Sequence, residues 1–401
     1  MNLFVAILGL GLLVFVHEAG HFFTARAVGM SPRRFYVGFP PPLVKVKRKG
    51  IEYGIGAIPL GGYVKIPGMH RPAPSDLDAF FGPALAEAPQ LVSPVERVKR
   101  RFAEGEMEEA RALLPDLEDA LERAEVSPMA KRAARRGLNE LKDGLGGDAY
   151  WRQRTWRKVL VIFAGPGTNL LFAIILFAAL FMIGSGGYRL GFSLETSEPV
   201  VHEVKSNRPA AAMGLLPGDR ILEVNGVEVK TGDDIPPLIE ASKGRAVTLV
   251  VRRNGGQVMT LGPERPRREE RLSAPKATWE SLRLTGVITK EIGASLTRLV
   301  RGQRKEVSSP VGIVEGSSEA LQQGVQTYLW VLGLLSLSLA LLNLLPLLPL
   351  DGGHIAFSII EGIRGRAVGR EVYERVSAIG IALVLLLFFI GLSNDIGRLG
   401  D

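Results

Sequence analysis

His17-Glu18-Ala19-Gly20-His21 is the run of this chain whose residue types and spacing are best suited to chemistry. It reads H-E-x-x-H. At about 100° per residue, helix positions four apart share one face. Both imidazoles can therefore bind one Zn²⁺, and Glu18 is placed to take a proton from water at that metal. A catalytic zinc takes three protein ligands and keeps a fourth position open. The segment Asn343-Leu344-Leu345-Pro346-Leu347-Leu348-Pro349-Leu350-Asp351-Gly352-Gly353-His354 offers two candidates for the third ligand, Asp351 and His354.

The motif sits at the end of an apolar run, Leu3 to Val16. Three more runs follow, at Val159–Gly187, Tyr328–Leu350 and Ala378–Leu392. A helix needs about 20 apolar residues to cross a bilayer. The second and third runs meet this directly. The first does so if the helix continues through Val28, and the fourth needs its flanks. The fold expected is a polytopic α-helical membrane protein with about four transmembrane helices, at 1–29, 157–187, 327–350 and 377–394. A signal peptide would want a basic start and a small-residue cleavage site, and Met1-Asn2 supplies no charged side chain. His17 lies about 14 residues, or roughly 21 Å of helix, from Leu3. Ionisable groups at that depth are expensive and point to function.

Flanking Lys and Arg set the expected orientation. Arg26, Arg33, Arg34, Lys45, Lys47, Arg48 and Lys49 follow the first run, and Arg152, Arg154, Arg157 and Lys158 precede the second. Arg364, Arg366, Arg370 and Arg375 lie between the third and fourth. Both termini and 188–326 are thus expected outside, with 29–156 and 351–376 in the cytoplasm. Asp351 then reaches the cytoplasmic side, at the depth of the two histidines. The intervening prolines interrupt helical bonding, which is tolerated at membrane depth only in a protein-lined cavity.

The 401 residues include no cysteine, which excludes a disulfide scaffold, a thiolate metal site and a cysteine nucleophile. The net charge of +8 comes from 49 Lys and Arg against 41 Asp and Glu. These charges gather at membrane flanks, so nucleic acid is not an expected partner.

Between the spans lie four further parts. In 30–72, Val44 and Val46 alternate with Lys45 and Lys47, and Ile51, Tyr53 and Ile55 alternate after a basic turn at Arg48-Lys49-Gly50. This is the period of a β-hairpin, associated with the membrane, whose edge could add an extended peptide. Residues 73–150 read as a solvated insertion of two or three charged helices, broken at Pro115 and Pro128. Residues 190–265 predict an α+β unit. It has a strand at Val200–Val204, small-residue helix Pro209–Met213, turn Gly214–Asp219 and strand Arg220–Val224. A helix at Asp233–Ser242 and a strand from Ala246 to Arg253, ending at Asn254-Gly255-Gly256, complete it. Residues 266–326 form an amphipathic connector, lying on the membrane surface or packed on that unit.

Together, H-E-A-G-H in the first helix and N-L-L-P-L-L-P-L-D-G-G at the third resemble the site-2 protease family of intramembrane zinc metalloproteases. The likeness is greatest to its bacterial regulator-of-sigma-E protease branch. It covers most of the chain except about 72–150. The 190–265 unit resembles one PDZ domain of the bacterial protease type, with Leu190-Gly191-Phe192 in its carboxylate-binding loop. The resemblance implies His17, His21 and Asp351 as ligands of one Zn²⁺ per chain, with Glu18 as general base and later acid. The family's Gly-x-x-x-Asn element matches Gly165 to Asn169. Asn343, Pro346, Asn169, Tyr53 and Ile55 are the implied substrate-binding residues. The implied substrate is a single-span membrane protein, for example an anti-sigma factor or a signal-peptide remnant, cut within the bacterial inner membrane near its cytoplasmic side. The extracytoplasmic PDZ unit would take a peptide C-terminus or strand edge. Two other classes share the metal motif. A non-proteolytic zinc-binding scaffold would not need Glu18, and a metal transporter would need more ionisable groups along its helices.

Overall fold

In a computed structural model the first apolar run and the H-E-x-x-H motif form one unbroken helix, α1 (Asn2–Ala27). The structure describes residues 2–184, 187–194, 198–253, 256–268, 271–300, 309–366, 368 and 370–400. Asn254 and Gly255, expected to end a strand, lie outside these, as do residues 269–270 and 301–308 of the expected connector. The chain divides into two compact units, Met1–Ala173 with Thr285–Asp401, and Ile174–Leu284.

After α1 come β1 (Arg34–Arg48) and β2 (Ile51–Lys65). Lys49 and Gly50 between them both have positive φ, 49° and 81°, the geometry of a two-residue hairpin turn. Pro42–Arg48 pairs antiparallel with Ile51–Gly56. Arg34–Val37 lies against Glu52–Ile55 and also pairs with Gly62–Lys65, so the two strands fill four sheet positions. Aromatic edges seat the sheet on α1: Phe35 meets Phe15 and Phe22 at 5.8 and 5.2 Å between ring centres.

Residues 73–150 depart from expectation. They form five α-helices, α2 (Pro74–Glu87), α3 (Val92–Glu104), α4 (Met107–Ala112), α5 (Leu114–Arg123) and α6 (Pro128–Gly144). Pro115 and Pro128 start helices rather than break them, since first-turn N–H groups have no helical partner. Apolar residues at helical spacing, such as Leu114, Leu117 and Leu121 or Ala134, Leu138 and Leu141, close a continuous core. The charges on the other faces are not all solvated. Arg33 binds Asp143 at 2.8 Å and Lys65 binds Glu140 at 2.6 Å, tying α6 to the sheet. α7 (Thr155–Ile183) follows and carries Pro166 within it.

The unit Ile174–Leu284 is α+β. β3 (Tyr188–Arg189), β4 (Phe192–Leu194) and β5 (Val201–Val204) precede the short α8 (Pro209–Ala212). β6 (Arg220–Val224), β7 (Val227–Glu228), α9 (Ile235–Ala241), β8 (Val247–Arg252), β9 (Val258–Glu264) and β10 (Arg267–Arg268) complete it. One sheet has the order β7-β6-β8-β9, and β4–β5 and β3–β10 are separate pairs. Leu190, Val201, Ile221, Ile235, Leu249 and Val251 share its core.

The last part holds α10 (Ala274–Val300), α11 (Pro310–Gln323), α12 (Val325–Asn343), α13 (Asp351–Arg364) and α14 (Arg370–Gly400). α11, expected as connector, packs on α1, α12 and α14. Tyr328 donates from its hydroxyl to the Val5 carbonyl, at 3.0 Å, and joins α12 to α1. Several boundaries differ from those expected, those of α7 among them, which runs Thr155–Ile183 against 157–187. α12 ends at Asn343 rather than 350, because Pro346 and Pro349 have no N–H to continue it. The expected loop 351–376 is largely α13. α14 outruns 377–394 at both ends, since Glu374 and Arg375 are good helix formers and no proline interrupts it. Among the described residues, four helices are long and apolar enough to cross a membrane: Asn2–Ala27, Thr155–Ile183, Val325–Asn343 and Val372–Gly397.

Candidate metal centre

The i, i+4 spacing in α1 puts His17 and His21 side by side, with Nε2 atoms 3.2 Å apart. Asp351, at the first turn of α13, brings Oδ2 to 3.1 Å from His17 Nε2 and 3.4 Å from His21 Nε2. Three ligands of one tetrahedral zinc, at bonds of about 2.0–2.1 Å, stand about 3.3 Å apart. The triangle fits. Asp351 Oδ2 has no hydrogen-bond donor, and buried His17 Nδ1 has no hydrogen-bond partner, so neither atom is otherwise engaged that way. Two imidazoles and one carboxylate form the donor set of a catalytic zinc with an open position.

His21 is oriented from behind. Its Nδ1–H donates to the Val161 carbonyl of α7 at 2.8 Å. A carbonyl only accepts, so the proton lies on Nδ1 and the neutral ring keeps its Nε2 lone pair for a metal. α7 comes this close because both helices carry glycine at the crossing. A Cβ on Gly20 would lie 2.4 Å from the Ala164 carbonyl oxygen, and one on Gly165 would lie 2.2 Å from His21 Nε2. Thr168 adds a hydroxyl bond to the Val16 carbonyl, 3.0 Å.

Asp351 depends on the turn before it. A Cβ on Gly352 would meet the Leu345 carbonyl oxygen at 2.2 Å, and one on Gly353 the Leu348 nitrogen at 2.5 Å. Residues 344–350 thus fold back against the first turn of α13, and only the Gly-Gly pair leaves room. His354, the rival ligand, points elsewhere: its Nδ1 is hydrogen-bonded to the Tyr373 hydroxyl, and it is not in the ligand cluster. Burial pushes its imidazole down to about 4, against the pull of the Asp351 carboxylate.

Glu18 is buried and lies against the backbone of β2 at Gly62 and Val64. A Cβ on Gly62 would come 2.8 Å from Glu18 Cγ. The sequence reading missed this role for Gly62, as it missed the room made by Gly20 and Gly165. Small residues facing one another across membrane helices were the available signal.

The expected substrate-binding residues are more dispersed. Asn169 is fully buried, with neither side-chain nitrogen nor oxygen bonded. Asn343, the last residue of α12, donates to the Leu339 carbonyl at 3.0 Å. Tyr53 packs on Phe22, while Ile55 and Pro346 are exposed.

The family model for "Peptidase family M50" matches residues 5–387. The chain belongs to this peptidase family. Among curated relatives, the regulator of sigma-W protease RasP of Bacillus subtilis is 28% identical, covering 97% of this chain and 96% of its own. The zinc metalloprotease RasP of Geobacillus kaustophilus is 29% identical, covering 97% and 96%. That of Shouchella clausii is 29% identical over the full length of both. The M50 chain is thus a zinc metalloprotease of the site-2 type, and its apolar helices make it a multi-pass membrane protein.

Proposed function

We propose that this M50 protease is an intramembrane endopeptidase that cleaves transmembrane segments of single-span proteins. The observation that carries this is the triangle of His17, His21 and Asp351 beside Glu18, built on a helix long and apolar enough to span a bilayer. One zinc per chain would be held by those three residues. When bound, it supplies a Lewis acid that polarises the peptide carbonyl and eases deprotonation of water. The chain's own residues do the rest. Val161 keeps the His21 ring in one tautomer and orientation. The Glu18 carboxylate takes the proton of the attacking water and returns it to the leaving nitrogen. Burial of Glu18 and both histidines excludes bulk water from the proton's path.

A substrate helix must unwind before its peptide bond is reached. The β1–β2 sheet, with exposed Val44, Val46 and Ile55, is suited to hold it extended by strand pairing. Tyr53, Asn343, Pro346 and Asn169 would complete the substrate path. The flanking Lys and Arg support termini outside, the active site towards the cytoplasm and the α+β unit outside. That unit is read as a PDZ domain that docks a chain end or filters substrates. An anti-sigma factor of a bacterial inner membrane is a fitting substrate, since the Bacillus relative is named a regulator of sigma-W protease.

The test is cleavage of a panel of single-span substrates carrying helix-breaking residues, by purified chain in detergent. Wild type, Glu18→Gln and chelator-treated samples run together. Cleavage inside the span by wild type alone is expected. Cleavage confined to extramembrane loops would overturn the intramembrane assignment.

A further inference from the structure

A second cavity, of about 480 Å³, lies behind α13 and has no part in the chemistry above. α13 lines it with His354, Phe357, Ser358, Glu361 and Gly362, one stripe at spacings of three and four. Asp351 stands one turn earlier on the same helix. The opposite walls come from Met69–Arg71, from Tyr150–Lys158 and from Tyr373. A Cβ on Gly362 would lie 2.5 Å from the Thr155 hydroxyl, so α13 and the start of α7 touch at this point.

The charge of the lining is one-sided. Arg71, Arg154, Lys158 and Arg366 face it, with Glu361 as the one carboxylate among the described residues. Glu361 is already committed: it binds the buried Lys158 ammonium at 3.2 Å and accepts the Val368 N–H at 3.0 Å. No ion pair engages Arg71, Arg154 or Arg366 among the described residues. Arg71 lies over the Trp151 ring, and Lys158 over the Tyr150 ring, which hold both cations at the wall. Three guanidinium groups without acidic partners among the described residues, around a cavity of ligand size, form a receptor for an oxyanion. Guanidinium donors suit phosphate in particular, because two N–H groups meet two oxygens.

We propose that this cavity binds a phosphate-bearing anion. Its level in the molecule bears on the source. Thr155, which opens α7, and Tyr373, at the start of the apolar part of α14, both line it. The cavity therefore sits where two apolar helices begin, the level of lipid headgroups, and basic pockets there take anionic phospholipids. A soluble phosphate compound would use the same guanidinium groups.

The experiment uses the full chain in detergent and reads binding by native mass spectrometry and thermal shift. The probes are phosphatidylglycerol, phosphatidylcholine with the same acyl chains, and inorganic pyrophosphate. Phosphatidylglycerol is expected to bind at least tenfold more tightly than phosphatidylcholine. The double variant Arg154→Glu with Arg366→Glu should abolish that preference, while Arg154→Lys with Arg366→Lys retains most of it. Both arginines are exposed at the rim, so neither pair should disturb folding. Saturable binding of pyrophosphate, lost in the Glu pair, would instead identify a soluble phosphate as the ligand. Equal binding of the two lipids with no pyrophosphate binding, or full binding by the Glu pair, would overturn the proposal.

Discussion

His17 and His21 meet through their Nε2 atoms at 3.2 Å, and Asp351 completes the triangle from more than 300 residues away in the sequence. The two imidazoles share a helix, so their geometry is set locally. The carboxylate depends on α12, the turn at 344–350 and α13. Asp351→Ala should therefore remove one ligand and leave the histidine pair intact. Losing a residue that merely orients a ligand lowers metal affinity about 10–100-fold, and loss of a ligand itself should exceed that. Zinc titration against a competing chelator checks this. Wild-type affinity in the variant would remove Asp351 from the ligand set.

Gly165→Ala tests the helix crossing. The new methyl carbon would fall 2.2 Å from His21 Nε2, so the ring must move or the helices must part. Either response breaks the 2.8 Å bond from His21 Nδ1 to Val161. Zinc affinity should fall about 10–100-fold, as for other losses of ligand support. The α-helical content of the chain should be unchanged by circular dichroism. Gly167→Ala is the control, because its nearest neighbour is a Phe163 ring atom at 3.1 Å on the same helix.

Glu18→Gln separates proton transfer from metal binding. The amide keeps the size of the carboxylate but cannot take a proton. A positioned acid–base group contributes about 10²–10⁴-fold, so turnover should drop by that factor or more. Zinc content by atomic emission should stay at the wild-type level. Loss of the metal in this variant would make Glu18 a structural partner of the site instead.

The histidine pair was legible from sequence because its signal is local: H-E-x-x-H needs only the helical period. Residues alone left Asp351 and His354 both open as the third ligand, because the choice depends on how the 344–350 turn and α13 pack on α1. The ends of α12 and α14 were less legible, since hydropathy marks where apolar residues stop and not where hydrogen bonding stops. At Asn343 the prolines ended the helix first; at Arg370 the helix began in polar sequence. The five-helix core of 73–150 was obscured by its high charge. Leu, Ala and Phe recur there at helical spacing, but the charged faces dominate composition. Contacts such as Gly62 on Glu18 join distant segments and leave no periodic trace.

That helical core yields its own prediction. Leu117 of α5 is fully buried in the core shared by the helices of 73–150. Leu117→Ala should destabilise this part by about 2–5 kcal/mol through lost burial and the cavity left behind. Hydrogen exchange of the α5 amides in the full chain reads the loss. Exchange in α1 should be unaffected. A uniform change across both regions would mean that the helical part and the membrane helices unfold as one cooperative unit.

In the Ile174–Leu284 unit, Asp219 is 1% exposed and receives two bonds from Arg253, at 2.8 and 2.7 Å, and one from the Leu216 N–H at 2.9 Å. Burial alone would raise its carboxyl, but these three donors outweigh it and hold the group below its ordinary value of 3.8. A carboxylate lowered in the folded state adds stability that is fully present above the unfolded value. That stability is lost as pH falls through the lower, folded value. Unfolding of the unit should thus be insensitive to this group near neutrality and ease below about pH 4. Asp219→Ala should cost about 3 kcal/mol at pH 7, the low end for a broken buried pair because Arg253 reaches solvent. It should also flatten the acid dependence. Amide exchange in β6 and β8, followed from pH 7 downwards, measures both effects, and an unchanged acid limb in the variant would assign the acid sensitivity to another carboxylate.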